Sequence, residues 1–336
     1  MCDARWILLF ILPIISVNGR ASTLFEDDEV LHVELTGPLV SLIENQEERR
    51  ELPFVLTANG DRHAVRVRTR GKSRTRVCRF PPLRINFPDG DDRLTVFSGQ
   101  DKLKLTTHCR NTDLAESNAL EEYAAYRIFN LISDTSYKVR LLRITYTDND
   151  ERSDKKSRKR YGFLIEPTRE LIRRTGGRKA RIAQVSRGSL DPDQAASVYI
   201  FQYLIGNTDW SLVTATGETV CCHNGDLIEI GSKLHYVPYD FDLAGLVNAR
   251  YAKPDPSVGI ERVTQRRYRG LCISDDVLKK ALQKFKVRKD AILNVIHELP
   301  GLSDKDIRDK SKYLNRFFEQ ADDEDKLLRS FRRRCL

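Results

Sequence analysis

The chain has 336 residues, 40 % apolar and 31 % charged, with lysine plus arginine exceeding aspartate plus glutamate by 57 to 48. That composition excludes a disordered chain and a collagen-like or repeat architecture, and it leaves enough apolar material for one large domain or two modest ones. The net charge of +9 suits anionic ligands without requiring nucleic acid.

The first segment is unlike the rest. Arg5 precedes an apolar run from Trp6 to Val17, and small residues follow at Gly19 and Ala21. This layout predicts a secretory signal peptide over residues 1–21, too short to span a bilayer, and therefore a secreted or periplasmic protein whose mature chain has no transmembrane segment. Cys2 leaves with that segment. The six remaining cysteines permit disulfides in an oxidising compartment, with their pairing left open. Cys221-Cys222-His223 invites a zinc reading, but no second C-x-x-C or H-x-x-x-H supports it.

Residues 22 to about 58 read as an N-terminal strand region, because Val30, His32 and Glu34 alternate with Leu31, Val33 and Leu35. A helical piece over Leu39 to Glu51 interrupts it. Short β-rich segments follow at Ala64–Thr69, Leu83–Phe87, Lys102–Thr106, Val139–Thr147 and Tyr161–Ile165, separated by breakers such as Pro81-Pro82 and Pro88-Asp89-Gly90. One helix lies among them, since Leu120, Tyr123, Ala124, Ile128 and Leu131 share a face between Asn118 and Ile132. The charged run Glu151 to Arg160 reads as an exposed hairpin loop.

After Pro167 helices dominate. Asp191-Pro192 caps and opens a helix that Gly206 ends. A hairpin fits Leu227–Ile230 and Leu234–Val237 around Gly231-Ser232, and amphipathic helices begin at Ser274, broken by Pro300-Gly301. The expectation is an α+β protein in two parts: a strand-rich N-terminal lobe over 22–166 and a mainly helical C-terminal lobe over 167–336.

Two features carry chemistry. Arg66, Arg68, Arg70, Lys72, Arg74 and Arg76 place a cation at every second residue, so a strand would show them all on one face. A bend at Gly71 would aim that charge at a polyphosphate; a solvated strand face is the plainer alternative. Nucleic acid is disfavoured, because no stacking aromatics interleave the cations and no helix-turn-helix or zinc finger is present. The second feature is an order of motifs. A buried helix is followed by Gly206-Asn207-Thr208-Asp209-Trp210, then His223-Asn224, a hairpin, and Tyr239-Asp240-Phe241-Asp242. An aspartate after a buried helix can accept a hydroxyl proton, and Asn and Asp oxygens gathered by a hairpin suit Mg²⁺. Protein kinases use that order for the catalytic loop and the metal-binding turn. Helix-end and hairpin-end caps are the plainer reading of each piece, and Phe241 reads as core.

On these residues the chain resembles the atypical kinase-like proteins related to the spore coat CotH kinases and, more distantly, the secretory-pathway kinases. The likeness covers roughly residues 60 to 250. Val67-Arg68-Thr69-Arg70-Gly71 resembles that family's R-x-R-G strand and turn, and Phe80 to Phe87 its next strand. Tyr161 to Glu166 resembles the segment linking the lobes. GNTDW resembles the catalytic loop and YDFD the metal turn.

The resemblance implies a bilobal protein-kinase-like fold and a metal-dependent ATP phosphotransferase acting on a hydroxyl-bearing or acidic protein, or on itself. It implies Asp209 as the catalytic aspartate and Asn224, Asp240 and Asp242 as holders of Mg²⁺ or Mn²⁺. Lys102 or Lys104 would pair with ATP phosphates and Glu122 would anchor that lysine. Arg70 and Gly71 would stand in for a glycine-rich loop, and Gly162 to Glu166 would line the adenine pocket. Asp209 and Asn224 are farther apart than in a protein kinase, so Ser211 to Cys222 must loop out. Two alternatives stand beside this reading. One is a kinase-like pseudoenzyme that binds a nucleotide, glycan or protein in the cell envelope, and the other is an anion or nucleic-acid binder built on the basic strands.

Overall fold

The computed structural model describes residues 24–88, 94–152, 157–212 and 221–336. The segment expected to be a signal peptide, the Asp89-Gly90 turn and residues 153–156 of the charged loop lie outside the described residues, as does most of the Ser211–Cys222 excursion.

The N-terminal half comprises β1 (Leu31–Gly37), α1 (Leu39–Glu44), β2 (Leu52–Ala58), β3 (Asp61–Thr69), α2 (Arg74–Val77), β4 (Leu83–Asn86), β5 (Lys102–Thr106), α3 (Asp113–Asn130), β6 (Val139–Asp148) and β7 (Arg158–Ile165). Strand alternation follows the sequence. In β3, His63, Val65, Val67 and Thr69 point inward while Arg62, Ala64 and Arg66 are exposed. The strands run in the order β1-β2-β3-β4-β5-β7-β6, and a parallel pairing of β1 with β6, from Leu31↔Leu142 to Gly37↔Asp148, closes them into a barrel. The expected strand-rich region is therefore a closed barrel, with Val33, Leu35, Val67, Ile85, Leu103, Ile144 and Leu164 in its core.

Two local expectations are corrected. The helix expected over Leu39 to Glu51 ends at Glu44. The alternating cations do not stay on a strand past Gly71: that residue turns the chain at φ +98°, and residues 74–77 form a helical turn. Alternation ends there, so Arg74 is buried while Arg76 is exposed.

The C-terminal half comprises α4 (Thr168–Thr175), β8 (Arg178–Ala180), α5 (Pro192–Ile205), β9 (Gly225–Ile230), β10 (Lys233–Pro238), α6 (Asp275–Val287), α7 (Lys289–His297), α8 (Asp304–Asp322) and α9 (Glu324–Arg332). Asp191 caps α5 by accepting from the Gln194 amide, Pro192 opens it, and Gly206 ends it at φ +66°. Ser303 caps α8 in the same way. A second core joins α5, α6, α8 and α9 through Phe201, Leu204, Phe285, Phe317 and Phe331. The inner face of α3 (Leu120, Tyr123, Ala124, Ile128) and Phe241 belong to this core, so α3 couples the barrel to the helices.

All six described cysteines are paired, as Cys78–Cys109, Cys221–Cys222 and Cys272–Cys335. The two neighbouring cysteines are thus bonded to each other, which removes them as thiolate ligands for zinc. Among the described residues no helix is long and apolar enough to cross a membrane.

Candidate functional site

Asp209 is held by short-range devices. α5 must end at Gly206, where an added Cβ would lie 2.0 Å from the Tyr313 hydroxyl. The next residue, Asn207, is buried; its carboxamide oxygen accepts the Asp209 amide at 2.9 Å while its Nδ2 reaches Gln202 at 3.0 Å. Trp210 then anchors the turn, buried and stacked on Tyr199. These contacts leave the Asp209 side chain partly exposed at the end of a rigid helix.

The excursion that separates Asp209 from Asn224 closes at its base. Ser211 and His223 exchange backbone hydrogen bonds of 3.3 and 3.1 Å. That pairing returns Asn224 to Asp209, and its Nδ2 donates to Asp209 Oδ2 at 2.8 Å and to the Asp209 carbonyl at 2.7 Å. His223 Nε2 lies 3.0 Å from the other carboxylate oxygen. Both oxygens of Asp209 are therefore oriented by residues from the far side of the excursion.

Asp240 is delivered by the β9–β10 hairpin. The pair Pro238↔Gly225 is the last of the ladder, and the Tyr239 amide donates to the Asn224 carbonyl at 3.0 Å just beyond it. Asn224 and Asp240 thus flank one hairpin base, both at positive φ (+50° and +65°). Non-glycine residues pay for that conformation, and such strain clusters at functional sites. The Asp240 amide donates to the Tyr126 hydroxyl at 2.9 Å, tying the turn to α3.

The strand-rich half supplies cations. Lys104 and Arg70 line a small cleft with Glu122, Tyr126, Tyr137, Ile165, Tyr239 and Asp240. Lys104 lies over the Tyr239 ring, 5.3 Å from its centroid. Burial, with Arg70 nearby, pushes its ammonium down to about 8. Asp226 adds negative charge near Lys104. Burial opposes its ionisation, but hydrogen bonds from Lys179 and Tyr137 prevail and hold its carboxyl below the ordinary range. Lys102 does not share this setting: it is exposed and lies 3.6 Å from Asp101. The structure thus separates two lysines that strand spacing left equivalent.

Arg74 is the residue that sequence reasoning missed. Its Nη2 donates to both oxygens of Glu122 at 3.0 and 2.9 Å and to Asp240 at 2.8 Å, while its Nε donates to Asp242 at 2.8 Å. Glu122 is therefore bound by Arg74, where the resemblance implied Lys104. Burial raises the carboxyls of Glu122 and Asp242, and the charges of the neighbouring carboxylates add to the effect. Despite its burial the three carboxylates hold the Arg74 guanidinium firmly protonated. Asp242 also accepts from the Tyr251 hydroxyl at 2.8 Å. The signal for Arg74 was present in Gly71, which breaks the strand and changes the face that later residues show.

Two carboxylates and an amide oxygen are suitable donors for a hard cation. Here a guanidinium lies between Asp240 and Asp242, so the set as arranged does not fit a metal bridging both. Among the described residues no group of three His, Cys, Asp or Glu side chains is placed to hold a metal. The cleft itself encloses about 10 Å³, far below the roughly 300–1,000 Å³ of small-ligand pockets.

Gly162 and Glu166 lie outside the lining of this cleft and are held by close packing and by ionic contacts. Gly162 pairs with Leu142 inside β7, and an added Cβ would lie 2.7 Å from the Thr106 carbonyl oxygen. It therefore serves close packing in the barrel, and Ile165 reaches the cleft instead. The Glu166 amide donates to the Lys138 carbonyl at 2.9 Å, and its carboxylate accepts from the Lys138 amide and from Arg174. These bonds clamp the junction between the halves.

No protein-family model matches the chain, and no curated protein matches it. Among solved structures, the crystal structure of a Helicobacter pylori proinflammatory kinase, CtkA, aligns over 80 % of this chain and 88 % of that one, with 10 % sequence identity and a TM-score of 0.36. Similarity at that level does not establish a shared fold.

Proposed function

We propose that the protein is an exported kinase-like phosphotransferase that moves the γ-phosphoryl group of ATP to a hydroxyl of a protein, with itself as one candidate acceptor. The observation that carries this reading is that Asn224 binds Asp209 from one side of the hairpin base, while Asp240, on the other side of that base, lines a cleft with Lys104 and Arg70. In this reading Asp209, aligned by Asn224 and His223, orients the acceptor hydroxyl and takes its proton. Lys104 and Arg70 face the phosphates, where fixed positive charge stabilises the transferring group. Asn224 and Asp240, with Asp242 as a second candidate, would be the residues to hold Mg²⁺ or Mn²⁺, although with Arg74 bound to both aspartates the set as arranged does not fit the ion. In this reading Arg74 leaves Asp240 before a nucleotide and its cation enter. Three disulfides support an oxidising location, in line with the N-terminal apolar segment.

The test is transfer from γ-labelled ATP with Mg²⁺ or Mn²⁺ by the purified mature chain. Incorporation by the wild type that falls at least about a hundredfold in Asp209→Asn is the expected result, since general-base and orienting groups contribute roughly 10²–10⁴-fold. Equal incorporation by the two proteins, or none by the wild type, would defeat the proposal.

A second reading, a pseudoenzyme that binds without transfer, is favoured by the Arg74 guanidinium standing among the carboxylates. It is distinguished by thermal stabilisation with ATP and metal in the absence of any turnover.

A further inference from the structure

A second and larger cavity lies at the end of the barrel remote from the Ile165–Glu166 junction. It has a volume of about 660 Å³, within the range of small-molecule sites. Its floor is aromatic. Phe80 stacks on His108 with centroids 4.8 Å apart and planes 20° apart, and Tyr146 meets Phe80 edge-on at 4.9 Å. Leu39 and Ile43 of α1 form the facing wall. The floor is preorganised: Phe80 pairs with Cys109 through the backbone, the Cys78–Cys109 disulfide brackets it, and the Thr107 hydroxyl donates to the Phe80 carbonyl at 2.9 Å. A rigid floor spares a ligand the cost of ordering it.

Two buried polar atoms in these walls lack partners. His108 and Tyr146 are each 3 % exposed, yet His108 Nδ1 and the Tyr146 hydroxyl make no hydrogen bond. Buried groups of this kind are nearly always satisfied in folded proteins, so each calls for an explanation. Burial and the charges of Arg160 and Arg158 push the His108 imidazolium down to about 3, which leaves a neutral ring able to donate from one nitrogen and accept at the other.

The rim is cationic. Arg79 and Arg158 are exposed and have no carboxylate in ion-pair range among the described residues. The rim carboxylates are already engaged. Glu44 accepts from Arg152, and Asp148 accepts from the Leu39 and Asp150 amides. Arg110 donates to the Val77 carbonyl at 3.2 Å. The uncommitted charge at the mouth is therefore positive, above a floor that offers ring faces and unpaired polar atoms.

We propose that this cavity is a binding site for a small aromatic anion, a planar ring bearing a phosphate or carboxylate. The ring packs on Phe80, His108 and Tyr146, and the anionic group pairs with Arg79 and Arg158. The site is separate from the cleft that holds Lys104 and Asp240, and it stands whether or not that cleft transfers phosphate.

The test uses phenyl phosphate as the probe, titrated into the full-length mature chain by calorimetry and by NMR of the histidine rings. One saturable site is expected, with a shift of the His108 ring signals and much weaker binding of inorganic phosphate. Arg79→Ala and Arg158→Ala each weaken binding about tenfold, the scale of one charge-assisted hydrogen bond. Both side chains are exposed and lack an ion-pair partner among the described residues, so their removal spares the fold, which circular dichroism verifies. Lys104→Met, in the other cavity, leaves phenyl phosphate binding unchanged. The proposal is overturned by absence of saturable binding, or by binding that the Arg79→Ala/Arg158→Ala pair leaves intact. Binding that is lost only with Lys104, or inorganic phosphate binding as tightly as the probe, also overturns it.

Discussion

At the scale of single residues, a guanidinium stands between the aspartates where a metal was expected. Arg74 satisfies Glu122, Asp240 and Asp242 at once, and the three differ in exposure: the Asp240 side chain is 43 % exposed and that of Asp242 only 8 %. Asp240 can thus turn to a ligand while Asp242 and Glu122 stay buried. Removing one partner of a buried ionic cluster typically costs about 3–5 kcal/mol, because the remaining charges are left uncompensated. Arg74→Met is therefore expected to lower unfolding free energy by about that amount at pH 8. The sign of the pH dependence follows from the direction of the carboxyl shifts. Glu122 and Asp242 are raised in the folded state, so they add stability where they bind protons that the unfolded chain has released. That contribution is lost as pH rises through the folded value, about 7 for Glu122. Without Arg74 the carboxyls rise further, and the penalty should shrink on going from pH 8 to pH 5. Urea denaturation of both proteins at the two pH values checks this; an equal deficit at both would show that packing, and not charge, is lost. Asp209, Asn224 and Asp240 were legible in the sequence because order along the chain marks them. Arg74 was not, because its partners are distant in sequence and its direction depends on a helical turn.

At the scale of elements, local signals served well and non-local ones did not. Strand alternation located β1, β3 and β5, and Asp191, Pro192 and Gly206 bounded α5. The β9–β10 hairpin followed from Gly231-Ser232 between alternating runs. Two pieces were harder to read. β2 contains Pro53, which argues against a central strand. Pro53 is tolerated because β1 pairs only with Val55 to Ala58 and leaves that stretch of β2 uncovered on one side. α2 is a single turn, and its place is fixed by Cys78 at its end, bonded to Cys109 beyond β5. Closing a loop of 31 residues restricts the unfolded chain by about 3–4 kcal/mol in the chain-entropy treatment. The Cys78→Ser/Cys109→Ser pair is expected to lose about 2–4 kcal/mol and to loosen α2, so that Arg74 is held less firmly. Urea midpoints, with hydrogen exchange of residues 74–78, measure both effects. Unchanged exchange there would mean that the disulfide does not position the turn.

At the scale of the molecule, the barrel and the helical bundle keep separate cores, and α3 and the Glu166 clamp join them. Closure of the barrel was not readable, since it rests on a parallel pairing between residues more than a hundred apart, and alternation specifies faces but not partners. The charge asymmetry was readable and has structural content. Arg70 and Lys104 come from the strand-rich half and Asp240 from the helical half, so opposite charges line one narrow cleft, and Asp209 is tied to its edge through Asn224 and the Tyr239 amide. Tyr239 lines it, and Arg74 holds two of its wall carboxylates, Glu122 and Asp240. A nucleotide that enters must displace Tyr239 and Arg74, which couples binding to motion of α2 and of the hairpin base.

Hydrogen exchange of the mature chain with and without millimolar ATP and Mg²⁺ tests that claim most directly. Slower exchange in β5 and at the hairpin base, with faster exchange in α2 as Arg74 is released, is the expected result. Identical exchange in all three segments with and without nucleotide would rule out a nucleotide site at this cleft.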